Sequence, residues 1–211
     1  MAVSNLRNRD MSVEREIAMF LDMYLYSDER FTQKERTDSI EAQMDGSDII
    51  ISIPSLNLQS IVVDEKAQTQ YVNRPLPTFS LELSFLSSSN QLVEGWLIDM
   101  NKRTEYYLFQ WIHRADKDWN IKTHDIIKLE YALVSRKKIL DYLESYGYSI
   151  DRLKVLDSEI RSTGSFGAHY KTPDKKFYFF FSTQLAEKPI NVILRKEVII
   201  NLSEMKGIIE V

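Results

Sequence analysis

The chain has 211 residues, of which 44% are apolar and 27% charged, and a formal net charge of -4. These values fit a folded globular protein with a sizeable core and argue against a collagen-like, linker-rich or simply basic nucleic-acid-coating chain. There are no cysteines, which removes disulfides, cysteine–zinc sites and thiol nucleophiles, and suits a reducing, cytoplasmic setting.

Residues 1–10 are polar and are expected to be a disordered N-terminus ahead of a single domain spanning 11–211. The first sixteen residues carry no apolar core of a signal peptide, and no run approaches the roughly 18 apolar residues of a membrane helix. Val13, Ile17, Phe20, Leu21 and Tyr24 recur at helical spacing, which predicts an amphipathic helix over 12–27. Polar residues follow, with a short helix predicted at 39–44 and stopped by Gly46. Two isoleucine- and valine-rich strands, 48–53 and 60–66, flank the break Pro54-Ser55-Leu56-Asn57 and read as a hairpin. Further strands are expected at 78–86, 92–99, 104–113 and 125–134. Helices are expected at 136–146 and 150–161, the second capped by Ser149.

The glycine-containing stretch 162–169 reads as a loop. Phe177-Tyr178-Phe179-Phe180-Phe181 reads as a strand covered on both faces, because it has no polar alternation. One more strand falls at 191–195, and another at the end of the chain. No repeat, low-complexity segment or clean domain boundary is visible. The order of helix, strands, two helices and strands gives an α+β class, a sheet with helices packed on it.

Charge is unevenly placed. Met11 to Asp48 holds ten acids against four bases, and Lys171 to Lys196 six bases against two acids. An acidic, metal-collecting end and a basic, phosphate-facing end are compatible with a nuclease, although ordinary surface patchiness gives the same count. Tyr71, Arg74 and Lys171 to Lys176 are candidate phosphate contacts within that reading. His113, His124 and His169 are scattered, without metal-ligand spacing.

Acid-x-lysine occurs three times, at Asp64–Lys66, Asp174–Lys176 and Glu204–Lys206. Only the first has both a preceding apolar strand and a second carboxylate, Asp48, at the start of the neighbouring strand. Side chains alternate along a strand, so Asp64 and Lys66 share one face and Glu65 points to the other. Two carboxylates and a lysine at one hairpin edge can hold Mg2+ or Mn2+ and activate a water against a phosphodiester. Asp48 and Asp64 would be the metal ligands, with the Glu65 carbonyl as a third oxygen, and Lys66 would orient the water or offset developing charge. The plain alternative is a cross-strand ion pair at a hairpin edge.

These residues resemble the PD-(D/E)XK, or restriction-endonuclease-like, nuclease superfamily. Its pattern is an Asp opening one strand and acid-x-lysine ending the next, which falls here on Asp48, Asp64 and Lys66. The wider pattern Gln43-x-x-Gly46-x-Asp48, then Val63-Asp64-Glu65-Lys66-Ala67, looks like an uncharacterised bacterial branch of it. There Leu76-Pro77-Thr78-Phe79 and Glu82 also look motif-like. The resemblance covers roughly residues 35–85. It implies a mixed central sheet flanked by helices, with extra strands, and a Mg2+-dependent endonuclease acting on DNA. It also implies a helical Glu near the site, for which Glu35 and Glu41 are the candidates; Gln43 and Glu82 are further supporting candidates. The sequence departs from the pattern after the acid-x-lysine strand, where the usual helix has only 67–74 before Pro75. The expected partner is nucleic acid, with no membrane; a homodimer would let two sites cut both strands. The alternative is a catalytically inactive module of the same fold that binds nucleic acid or a protein.

Overall fold

The structure, a computed structural model, describes residues 2–37, 45–172 and 175–211. The chain divides into two compact units. The first is built from Met1–Leu76, Thr104–Val134 and Ser203–Val211, the second from Pro77–Arg103 and Ser135–Leu202.

The first unit begins with α1 (Ala2–Tyr24). Val13, Ile17, Phe20 and Leu21 form its buried stripe, at 2% exposure or less. This is the spacing that places side chains on one face of a helix. Six strands form its sheet: β1 (Gln33–Arg36), β2 (Ile49–Ile53), β3 (Leu58–Ala67), β6 (Tyr106–Ala115), β7 (Ile126–Ser135) and β11 (Met205–Glu210), adjacent in that order. The sheet is mixed: β3 and β6 run parallel, while β1–β2, β2–β3 and β7–β11 are antiparallel.

The predicted hairpin is present. Pro54–Leu56 makes a single 3-10 turn, and Asn57 closes it in the left-handed region at φ 57°. Ile49, Ile51 and Ile53 alternate into the same core as Ile61, Val63, Leu108, Ile112 and the α1 stripe. Burial of each such side chain is worth about 1.5–3 kcal/mol, so the core fixes the register of β2 against β3. A one-residue slip would turn the isoleucines outward.

The second unit holds an antiparallel sheet in the order β5 (Leu92–Glu94), β4 (Thr78–Leu86), β10 (Ile190–Arg195), β9 (Phe177–Phe181) and β8 (Gly167–His169). Three helices belong to it: α2 (Arg136–Ser145), α3 (Ile150–Thr163) and α4 (Lys196–Leu202). Ser149 caps α3 as expected, its side chain accepting from the Arg152 N–H at 3.3 Å, and Gly164 ends the helix at φ 62°. Together the units make a mixed α+β protein with four α-helices among the described residues.

Several expectations need correction. The strand predicted at 92–99 stops at Glu94, because Gly95 donates to Leu83 O at 2.6 Å and the chain then turns, with Ile98 and Asp99 both bonding back to Gly95 O. Residues 196–202, for which no element was predicted, form α4. The aromatic strand β9 buries Phe177, Phe179 and Phe181 but leaves Tyr178 and Phe180 partly exposed, so one face is fully covered rather than two. The loop 162–169 ends in the short strand β8. After β3 no helix forms; two tight turns follow instead, Tyr71 N–H to Gln68 O and Arg74 N–H to Tyr71 O, both at 3.1 Å. The helix predicted at 39–44 lies outside the described residues. Among the described residues no helix is long and apolar enough to cross a membrane.

Gly95 is fixed by proximity rather than by its φ. A Cβ there would stand 2.3 Å from the backbone carbonyl oxygen of Glu82, and backbone in a sheet cannot step aside. Gly95→Ala is therefore expected to cost at least the upper end of the roughly 1–3 kcal/mol of an overpacked core, read as a lowered thermal midpoint.

Candidate functional site

The site lies at the open end of the β2–β3 hairpin. Gly46, at φ 79°, turns the incoming chain in a conformation that favours glycine, and its carbonyl accepts from the buried Thr104 hydroxyl at 2.8 Å. Two residues later Asp48 is held at three points. Its N–H donates to Val63 O at 3.0 Å, its carbonyl accepts from Thr37 N–H at 3.0 Å, and its Oδ2 accepts from Glu65 N–H at 2.7 Å. The β2–β3 register pairs Ile49 with Val63, so Asp48 is one step further along, beside Asp64.

Asp64 is 2% exposed. Its Oδ1 takes the Lys66 ammonium at 2.8 Å, while its Oδ2 is buried and receives no hydrogen bond. Burial pushes the Asp64 carboxyl up to about 7; Lys66 pulls it down and the neighbouring Asp48 pushes it further up. For Lys66, burial works against the charge but the Asp64 carboxylate outweighs it. The ammonium is held above its ordinary range and is charged at neutral pH.

Alternation along β3 places Glu65 on the other face, as expected. There its carboxylate is bound by Arg36 (Nη1 to Oε2 at 2.9 Å, Nη2 to Oε1 at 3.3 Å) and by the Tyr26 hydroxyl at 2.7 Å. Arg36 also donates to Asp22, at 2.7 and 3.0 Å, and to Ala18 O at 3.0 Å. Burial raises the Glu65 carboxyl, and Arg36 opposes it. The side chain of Glu65 thus ties α1 and β1 to β3 and does not face the Asp48–Asp64 pair; its N–H fixes Asp48.

The remaining sequence candidates fall as follows. Glu35 is exposed on β1 and accepts from the Gln33 amide at 3.0 Å. Glu82 lies on β4, in the sheet of the other unit, opposite Asn191. Gln43 and Glu41 lie outside the described residues. Sequence reasoning missed Glu14 of α1, whose charge helps to hold Lys66 protonated. Its signal was faint: an acid next to Val13 on the flank of the buried stripe.

The donor set suits a hard divalent cation. Asp48 and Asp64 supply carboxylate oxygens, and the orphaned Asp64 Oδ2 is an acceptor that a proton or a cation would satisfy. Among the described residues no group of three or more His, Asp or Glu side chains is placed to hold a metal ion. An ion held by this pair would therefore complete its shell with water or substrate oxygens, as Mg2+ commonly does. No protein-family model, curated protein or solved structure matches this chain.

Proposed function

We propose that the protein is a metal-dependent nuclease of restriction-endonuclease-like architecture that hydrolyses DNA phosphodiester bonds. The observation that carries this reading is the buried, half-unsatisfied Asp64, set beside Asp48 and 2.8 Å from the Lys66 ammonium. The β2–β3 hairpin and the parallel neighbour β6 support it as the frame that the resemblance implies.

Asp48 and Asp64 hold Mg2+ or Mn2+, and three contacts through the backbone keep Asp48 oriented before any ion arrives. When bound, the ion supplies Lewis-acid stabilisation of the phosphoryl oxygens. Lys66 is a cation here, so its role is to orient the attacking water and to offset charge on the phosphoryl group, not to take the proton. Water adds to phosphorus and loses one proton to solvent, one ester P–O bond breaks, and the leaving oxygen gains a proton from solvent.

The test is cleavage of plasmid DNA in Mg2+ or Mn2+ by the wild type and by Lys66→Ala. The substitution is expected to slow cleavage about a hundredfold or more. An unchanged rate would overturn the assignment of Lys66. Mn2+ binding that depends on Asp48 and Asp64, without cleavage by the wild type, would leave a nuclease-fold module that binds but does not cut.

A further inference from the structure

Among the described residues the two sheets end in four edge strands, and three of them are short: β1 has four residues, β5 three and β8 three. The fourth, β11, has six residues paired to β7 without a break, from Met205 opposite Leu133 to Glu210 opposite Lys128. A long, regular edge is what natural sheets usually avoid, since it offers a template to another strand. Val211 N–H donates inward to Ile127 O at 3.0 Å. By antiparallel alternation the N–H and C=O of Ile208 therefore point away from β7. Lys206, Ile208 and Glu210 share the more exposed face, with Ile208 58% exposed.

The order of these three side chains suggests what the edge accepts. An antiparallel copy of the strand, related by a two-fold axis through Ile208, sets Ile208 against Ile208. It also sets each Lys206 against the Glu210 of the other copy. Two-fold registers centred on Lys206 or on Glu210 oppose like charges instead, which disfavours them. We propose that β11 is a self-association edge: two copies of this chain pair antiparallel through β11 with Ile208 at the centre, forming one continuous sheet. The pairing is isologous, as closed two-fold symmetry requires. It goes beyond the nuclease reading and does not depend on it.

The chain has no cysteine, so single introduced thiols report the register directly. Residues in a hydrogen-bonded antiparallel pair have Cα atoms about 5.5 Å apart, within the roughly 4.4–6.8 Å that a disulfide spans. Diamide, which accepts the two electrons and two protons released by the thiols, should convert Ile208→Cys to a covalent dimer. Lys206→Cys and Glu210→Cys should each form no covalent dimer alone and a disulfide-linked heterodimer when mixed. The proposal is overturned if Ile208→Cys dimerises no faster than Met100→Cys, a control at a site 65% exposed. It is equally overturned if Lys206→Cys self-links as readily as the mixture. In sedimentation, Glu210→Lys should abolish association and Lys206→Glu/Glu210→Lys should restore it. Failure of that restoration counts against pairing in this register, because the loss of the Glu210–Lys128 contact at 3.1 Å is common to both variants.

Discussion

Asp64→Asn is expected to slow the proposed metal-dependent cleavage about a hundredfold or more while leaving the metal-free protein as stable as the wild type, or more stable, at pH 8. The carboxyl titrates near 7 in the folded protein because burial disfavours its charged form, against about 3.9 in an unfolded chain. Below about pH 4 both states carry the proton. Between there and about pH 7 only the folded state keeps it, so this group makes stability fall as pH rises and level off above about 7. Asparagine removes the charge and that slope. Thermal melts between pH 4 and 8 should show the wild type declining across this window and the variant declining less. Added Mg2+ or Mn2+ should then raise the wild-type midpoint at pH 8, because a ligand of the folded state stabilises it, and leave the variant unmoved. Cleavage should drop about a hundredfold or more. A variant less stable than wild type at pH 8 and still responsive to metal would show Asp64 to be a structural partner of Lys66 alone.

Arg36→Ala should produce the largest loss of stability. It removes both guanidinium contacts from Glu65, whose side chain is 9% exposed, and leaves Asp22 and Ala18 O without their donor. Breaking a buried pair by deleting one partner costs about 3–5 kcal/mol. Among the described residues only the Tyr26 hydroxyl would still bond the carboxylate, and burial already raises this group. In the variant Glu65 should therefore hold a proton to higher pH. The deficit should be greatest above neutrality and shrink toward pH 4, where Glu65 is neutral. Replacing Glu65 by Leu in the same background should recover much of the loss, because the stranded charge is gone. Denaturant midpoints of the single and double variants at pH 4.5 and 8 separate these effects. A deficit independent of pH would mean that the arginine acts through packing rather than charge.

The site was legible where its geometry is local. Alternation along β3 gave the faces of Asp64, Glu65 and Lys66, and a hairpin of this length brought Asp48 alongside. What joined Glu65 to Arg36 was not legible, since the two are 29 residues apart in sequence and no short pattern encodes a partner at that range. Glu14 was missed for the same reason. The α4 segment Lys196-Glu197-Val198-Ile199-Ile200-Asn201-Leu202 is rich in β-branched residues and too short to show a period, so no helix was legible there. Gly95 ended β5 through a close approach of two backbones, visible only once β4 lies beside it. The two sheets were read as one because both alternate in the same way, and strand neighbours such as β4 and β10 are more than a hundred residues apart.

The parallel pairing of β3 with β6 has a consequence for how the chain is made. Between those strands the chain leaves for the other unit and returns at Thr104; it leaves again at Ser135 and returns at Ser203. The first unit is therefore assembled from three separate stretches, and its strand β11 is made well after its neighbour β7, with the whole of the stretch Ser135–Leu202 between them. Such long-range closures slow folding, because chain entropy is lost before the contacts that compensate for it exist. On the ribosome β7 would wait as an open edge until β11 emerges. A chain halted before residue 203 thus carries both carboxylates in a sheet that has no closing strand.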